Sequence, residues 1–274
     1  MNSVNRPEIT LPSRRFRNAW LFVAANLAFL AAAFGYLGIN PFLVFTEMHY
    51  IIDILVEMFP PSINLFWEKP DLWYSVLETL AMAFLGTLFG AFFAFFLSLL
   101  AARNLTPWPA ASRFFRILLG AQRAAPDFAI MMVIVVAVGF GPFAGTLALI
   151  IGSTGMFGKL YADAMEQLDS KPLEAIRALG ASHFQVIRYG ALPQVMPSII
   201  ANTLYLFEIN VGGAVALGVF GGGGLGFELH IANSTLAYPD MLAYIFLIVV
   251  MMVLAEKVSD LLRRYFFSGM STLK

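Results

Sequence analysis

The chain of 274 residues contains no cysteine, which excludes disulfides, thiolate metal sites and cysteine nucleophiles. Charge is scarce too: Asp, Glu, Lys and Arg supply 12% of residues, where soluble domains carry about a quarter. The 17 cationic and 17 acidic side chains cancel, so no basic surface points to nucleic acid as a partner. Only three histidines occur, His49, His183 and His230, too scattered to build an intramembrane metal centre or a nucleophile–base pair. A GST run at Gly152–Thr154 has no evident catalytic partner. Lysine is missing near the most glycine-rich stretch, Val219–Glu228 (VFGGGGLGFE), so this is not a phosphate loop ending in Gly-Lys-Ser/Thr. Gly221, Gly223 and Gly226 spell G-x-G-x-x-G. A dinucleotide fingerprint, however, follows a short buried strand, and here a long apolar run precedes it.

What is abundant is apolar surface: 59% of residues are hydrophobic and the mean hydropathy is +0.78. A bilayer-crossing helix needs about 20 mostly apolar residues. Six runs qualify: 17–39, 75–102, 113–139, 143–165, a fifth from Pro193 into the glycines near 220, and 239–261. No inverted pair of halves is visible among them. The first run is a full span with no clear cleavage site after it, so it reads as a retained helix.

Arginine and lysine cluster in the N-terminal tail (Arg6, Arg14, Arg15, Arg17) and between the second and third runs (Arg103, Arg113, Arg116). They cluster again after the fourth (Lys159, Lys171, Arg177, Arg188) and at the C-terminus (Lys257, Arg263, Arg264, Lys274). Six spans bring all four groups to one side, which the positive-inside rule makes cytoplasmic, with both termini. The expected division is a cytoplasmic tail (1–16), a first transmembrane helix (17–39), an extracytoplasmic amphipathic segment (40–73), a transmembrane domain (74–265) and a short cytoplasmic tail (266–274). A cytoplasmic loop at 166–193 belongs to the transmembrane domain. In the segment 40–73, FLVFTEMHYIIDILVEMF mixes apolar and acidic residues at helical spacing, as a helix lying on the membrane surface would.

Charges inside the spans need a partner or a watery path, since each costs about 2.5–3.5 kcal/mol at mid-bilayer. Arg123 and Asp127 are four apart and can share one helix face, with Pro126 loosening the helix between them. A polar gate or anion contact and a structural ion pair fit them equally. Glu208, with Asn210 two residues on, interrupts the fifth run. It reads better as an internal hydrogen-bond anchor than as an anion ligand, because a carboxylate repels an anion. The glycines at 221, 222, 223, 224 and 226 permit tight backbone packing and positive φ where that helix breaks. Gly86 and Gly90 suit close helix packing of the GxxxG kind.

The loop after the fourth run, SKPLEAIRALGASHFQVIRYGALPQ, is built like a pair of helices. Pro172 suits a first turn, Gly180 a left-handed C-terminal position, and Ser182 with Gln185 a capping box. Leu192–Pro193 is expected to end the second helix and turn the chain back into the membrane. Leu173, Ile176 and Leu179 then share an apolar face, with Phe184 and Ile187 beyond the bend. With little bundle nearby to pack on, this face is expected to meet a partner protein.

Glu174, Ala175, Gly180, Leu192 and Pro193 resemble the E-A-A-x3-G-x9-I-x-L-P loop of ABC importer permeases. Ile176 stands for the second alanine and Gly190 for the isoleucine. The stretches RAAPDFAIMMVIVVAVGFGPFAGTLAL, KLYADAMEQLDSKPLEAIRALGAS, YGALPQVMP and LYLFEINV, with the FPP at 59–61, are similar to the permease subunit of phosphonate importers. The resemblance implies an all-α membrane bundle of about six spans, the type I ABC importer permease fold, in a bacterial inner membrane. It implies no catalysis and no cofactor in this chain, with ATP and Mg bound by two copies of a partner ATPase. It further implies a periplasmic binding protein, a second permease copy (identical or related), and transport of phosphonate, phosphite or phosphate esters. Glu174, Ala175, Ile176, Gly180, Ala181, Ser182, Leu192 and Pro193 would form the coupling surface for the ATPase. Arg123, Asp127, Glu208, Asn210 and the glycines would lie along the path or gate. Where that family reads F-E-x-N-[IV]-R-S, this chain reads FEINVGG, with Gly212 at the arginine position.

Overall fold

The computed structural model describes residues 13–38, 40 and 42–268. Most of the expected N-terminal tail, with Arg6, and the end of the C-terminal tail, with Lys274, lie outside the described residues. Regular structure among the described residues is helical throughout, because apolar runs in lipid must satisfy their backbone groups internally. The chain divides into two compact units between Val56 and Glu57.

The first unit contains α1 (Ser13–Leu37), followed by α2 (Leu43–Thr46) and α3 (Met48–Glu57). α1 is long enough, at roughly 37 Å, to cross a bilayer, and Trp20, Phe22, Phe29 and Tyr36 are exposed along it. The amphipathic segment forms two short helices separated at Glu47 rather than one.

The second unit begins with α4 (Leu65–Glu68) and the long α5 (Asp71–Ala101). Then come α6 (Pro109–Ala124), α7 (Asp127–Val138) and α8 (Pro142–Glu166). α8 touches α5, α6, α7 and α11, and its neighbours approach closely through small residues. A Cβ added at Gly86 or Gly90 of α5 would lie 2.6 Å from the Cβ of Leu149 or Ser153 on α8. On α8 itself, Gly158 leaves room for Leu119 of α6. Such backbone-to-backbone approach is how helices gain dispersion energy in lipid, where no hydrophobic drive separates helix from solvent. The unit closes with α9 (Ser170–Ala178), α10 (His183–Val186), α11 (Leu192–Leu217), α12 (Gly224–Ser234) and α13 (Tyr238–Ser268). One buried cluster, with Met82, Met131, Leu149, Val211 and Leu225, lies toward the glycine-rich turn. A second, with Phe157, Tyr161, Met165, Leu173, Val186 and Val195, lies toward the α9–α10 loop.

Two expectations are corrected here. The third span is not one helix over 113–139: α6 and α7 are bent by 88° across Ala125–Pro126. Pro126 pushes Ala125 out of the helical region, to φ −75° and ψ 126°, as proline does to the residue before it. Nor does Leu192–Pro193 end the loop helix. Helical backbone runs without a stop from His183 to Gly222. A π-turn at Ile187–Ala191, in which the Leu192 N–H bonds to the Ile187 carbonyl, widens the coil just before the proline. That wide turn absorbs the donor that Pro193 lacks.

Candidate functional site

The loop between α8 and α11 is a stiff, well-capped projection. Asp169 caps α9 by accepting from the Lys171 N–H at 3.1 Å. Pro172 therefore sits third in the helix rather than at its start. Gly180 adopts φ +82° and its N–H bonds to the Arg177 carbonyl, a left-handed stop that a Cβ disfavours. The Ser182–Gln185 capping box is formed on both sides. The apolar face is divided rather than uniform. Leu173 and Val186 are buried in the chain's own core and Ile176 is half-buried, so the inner half of the loop does pack on its own bundle. The outer half does not: Leu179 is 88% and Phe184 69% exposed. Glu174, Ala175 and Ser182 are exposed beside them, while Ala181 and Leu192 are half-buried and Pro193 is exposed.

Gly190 and Ile176 meet across this inner packing. A Cβ at Gly190 would lie 2.7 Å from Leu173 Cδ2 and 3.0 Å from Ile176 Cδ1. The larger residue at 176 and the smaller at 190 thus exchange volume across one contact. The tip is also tied to the corner between α5 and α6. The His183 imidazole donates to the Leu105 carbonyl at 2.6 Å, and Asn104 donates to the Met165 carbonyl at 2.7 Å. Glu166 accepts from the Arg103 N–H at 2.9 Å and pairs with Arg116, which also reaches Asp163.

Inside the bundle, Arg123 and Asp127 fall on opposite sides of the α6–α7 break, so the expected shared face does not exist. Among the described residues no ion pair joins them. Asp127 opens α7 and lies against Gly152, where an added Cβ would sit 2.2 Å from its Oδ1. Glu208 is half-buried and pairs at 3.5 Å with Arg263 of α13, which also reaches Asp260. Asn210 is buried, donating to Thr87 on α5 and Ser153 on α8, both at 2.8 Å. This three-helix pin was missed in the sequence, although Ser153 lies in the GST run.

The glycines form the far turn. Gly221, Gly223 and Gly224 all have positive φ. The Gly221 carbonyl accepts from the Gly141 N–H at 2.9 Å. Glu78, not flagged in the sequence, accepts from the Gly224 N–H at 3.1 Å, and Thr79 from the Leu225 N–H at 2.9 Å, at the start of α12. A Cβ at Gly226 would lie 1.9 Å from the Val215 carbonyl oxygen. These residues therefore pack the turn against α5, α8 and α11. The sequence-expected path residues do not form one cluster: they occupy the α6–α7 bend, the bundle interior, the α11–α13 contact and the glycine turn.

The model of the family of binding-protein-dependent transport system inner membrane components matches residues 86–272. The chain belongs to this family. It is the permease subunit of an ABC importer, not itself an enzyme, and it crosses the membrane several times. The phosphite transport system permease protein PtxC of Stutzerimonas stutzeri is 36% identical, over 79% of this chain and 78% of that protein. The phosphate-import permease protein PhnE of Mycolicibacterium smegmatis is also 36% identical, over 85% of this chain and 43% of that protein. Among solved structures, the inward-facing MetNI methionine ABC transporter matches with a TM-score of 0.64 at 23% identity. That match covers 74% of this chain and 98% of its own, a likeness of fold.

Proposed function

We propose that this permease carries a phosphorus oxyanion (phosphite, a phosphonate or a phosphate ester) into the cell, from a periplasmic binding protein. The α9–α10 tip docks in an ATPase subunit, one tip per ATPase in an assembly of two permeases and two ATPases. The observation that carries this reading is the exposure of Leu179 and Phe184 on a capped, internally braced projection. Large apolar groups held rigid in water mark a binding surface. The names of the similar permeases support the substrate class. Glu174, Ala175, Ile176, Gly180, Ala181, Ser182, Leu192 and Pro193 shape or brace this surface. Both termini and the loop then face the cytoplasm of a bacterial inner membrane, in keeping with the positive charge on that side.

ATP and Mg belong to the ATPase; closure of its two copies draws the tips together and opens the permease pair outward. Arg123, without an ion-pair partner among the described residues, is the candidate anion contact, with Asp127 beside the bend. Asn210 and Glu208 hold α11 in place, and the glycine turn forms the outer gate. Gly212 leaves open space: an added Cβ meets only the Met252 methyl, at 3.5 Å. The arginine that similar permeases carry there is supplied by a related second permease in a heterodimer, or the substrate differs.

Proteoliposomes holding the permease, its ATPase and its binding protein test the reading. ATP-driven uptake of phosphite or methylphosphonate is expected, and Gly180→Val should abolish it while leaving the proteins folded. Uptake of another solute in place of these anions contradicts the substrate. A complex with only this permease that transports phosphonate well contradicts the heterodimer.

A further inference from the structure

Between the loop end of α8 and the start of α11 lies a groove of about 500 Å³. Its polar lining is Asp163 and Gln167 from α8 and Gln194, Ser198 and Asn202 from α11. The three α11 residues recur every four positions, which places them on one face of the helix. Gln194 donates to the Gly190 carbonyl at 2.9 Å, and Asp163 is matched by Arg116. The side chains of Gln167, Ser198 and Asn202 make no hydrogen bond among the described residues.

Depth makes this stripe informative. Asn202 lies eight residues past Gln194, about 12 Å further along the helix axis, comparable to half the thickness of a hydrocarbon core of about 30 Å. An unpartnered carboxamide facing lipid at that depth carries the full cost of lost hydrogen bonds. The stripe continues upward through Tyr205 and Ile209, both exposed, to Gly212. One face of α11 is thus left uncovered by its own chain along most of the span, polar at one end and narrowing to glycine.

We propose that this groove is the inner mouth of the translocation path, filled with water and, in transit, by the transported oxyanion. The inference rests on the permease reading and adds the residues that line its exit. Amide and hydroxyl donors hydrogen-bond an anion without a fixed positive charge to trap it, and Arg116 offsets the one carboxylate. An anion can therefore be held briefly and released.

The cysteine-free chain makes the test direct. Ser198→Cys and Asn202→Cys are introduced singly into the permease–ATPase complex in nanodiscs, and Ile200→Cys serves as the control on the opposite face of α11. Each is reacted with the small anionic reagent 2-sulfonatoethyl methanethiosulfonate, which needs a thiolate and hence water at the sulfur. Both groove cysteines are expected to react roughly tenfold or more faster than the control, and to slow when ATP and vanadate trap the ATPases closed. Two groove cysteines as inert as the control, in a complex that still hydrolyses ATP, overturn the groove and leave the permease reading standing. Rapid labelling indifferent to nucleotide also overturns it, showing a static crevice. A chain that retains no ATPase counts against the permease reading itself.

Discussion

Gly226 and Asn210 show how single residues set the packing of the far turn and the bundle interior. Replacing Gly226 with alanine forces a Cβ onto the Val215 carbonyl, a backbone atom that cannot step aside. The expected cost is about 1–3 kcal/mol, read as a lower thermal midpoint in detergent. Asn210→Ala leaves Thr87 and Ser153 without their shared partner. Interhelical hydrogen bonds in membranes average about 0.6 kcal/mol and reach about 1.7, so a smaller loss of midpoint than for Gly226→Ala is expected. An unchanged midpoint for either variant contradicts the packing described. At this scale the sequence was only partly legible. The glycines announced a helix break, but which carbonyl or carboxylate each would meet depends on partners such as Glu78 and Val215 that only the fold brings near. Asn210 was visible as a polar interruption, while its partners on two other helices were not.

Among the elements, the loop helices were the most legible, because caps are local chemistry. Gly180, Ser182 and Gln185 act within a few residues of themselves, and the structure has the stop and capping box where the sequence put them. The π-turn before Pro193 and the 88° bend at Pro126 were not legible, since proline permits a stop, a kink or a wide turn and packing chooses. The division of the loop's apolar face was hidden for the same reason. It yields a sharp contrast: Leu179→Asp with Phe184→Asp should leave thermal stability unchanged and remove ATPase binding in a pull-down. Leu173→Asp, which buries a charge in the chain's own core, should instead prevent stable folding. The contact between Ile176 and Gly190 gives a second test. Gly190→Ile alone should destabilise the loop and uncouple ATP hydrolysis from transport, and adding Ile176→Ala should restore much of both. Additive losses in the double variant contradict the volume exchange.

For the whole molecule, long apolar runs and cation placement announced an all-helical membrane bundle, because both are averaged over many residues and survive errors at any one. Their number also survives, five long helices plus the bent pair α6–α7. Composition says nothing about what assembles around the bundle; that rests on the projecting tip. The most direct measurement is native mass spectrometry of the tagged permease, gently released from its own membrane, with the Leu179→Asp, Phe184→Asp variant beside it. Two ATPase subunits on a pair of permeases, lost in the variant while the permease remains intact, is the result expected of an importer driven through this loop. A permease that emerges without ATPase, or a variant that keeps it, contradicts that claim.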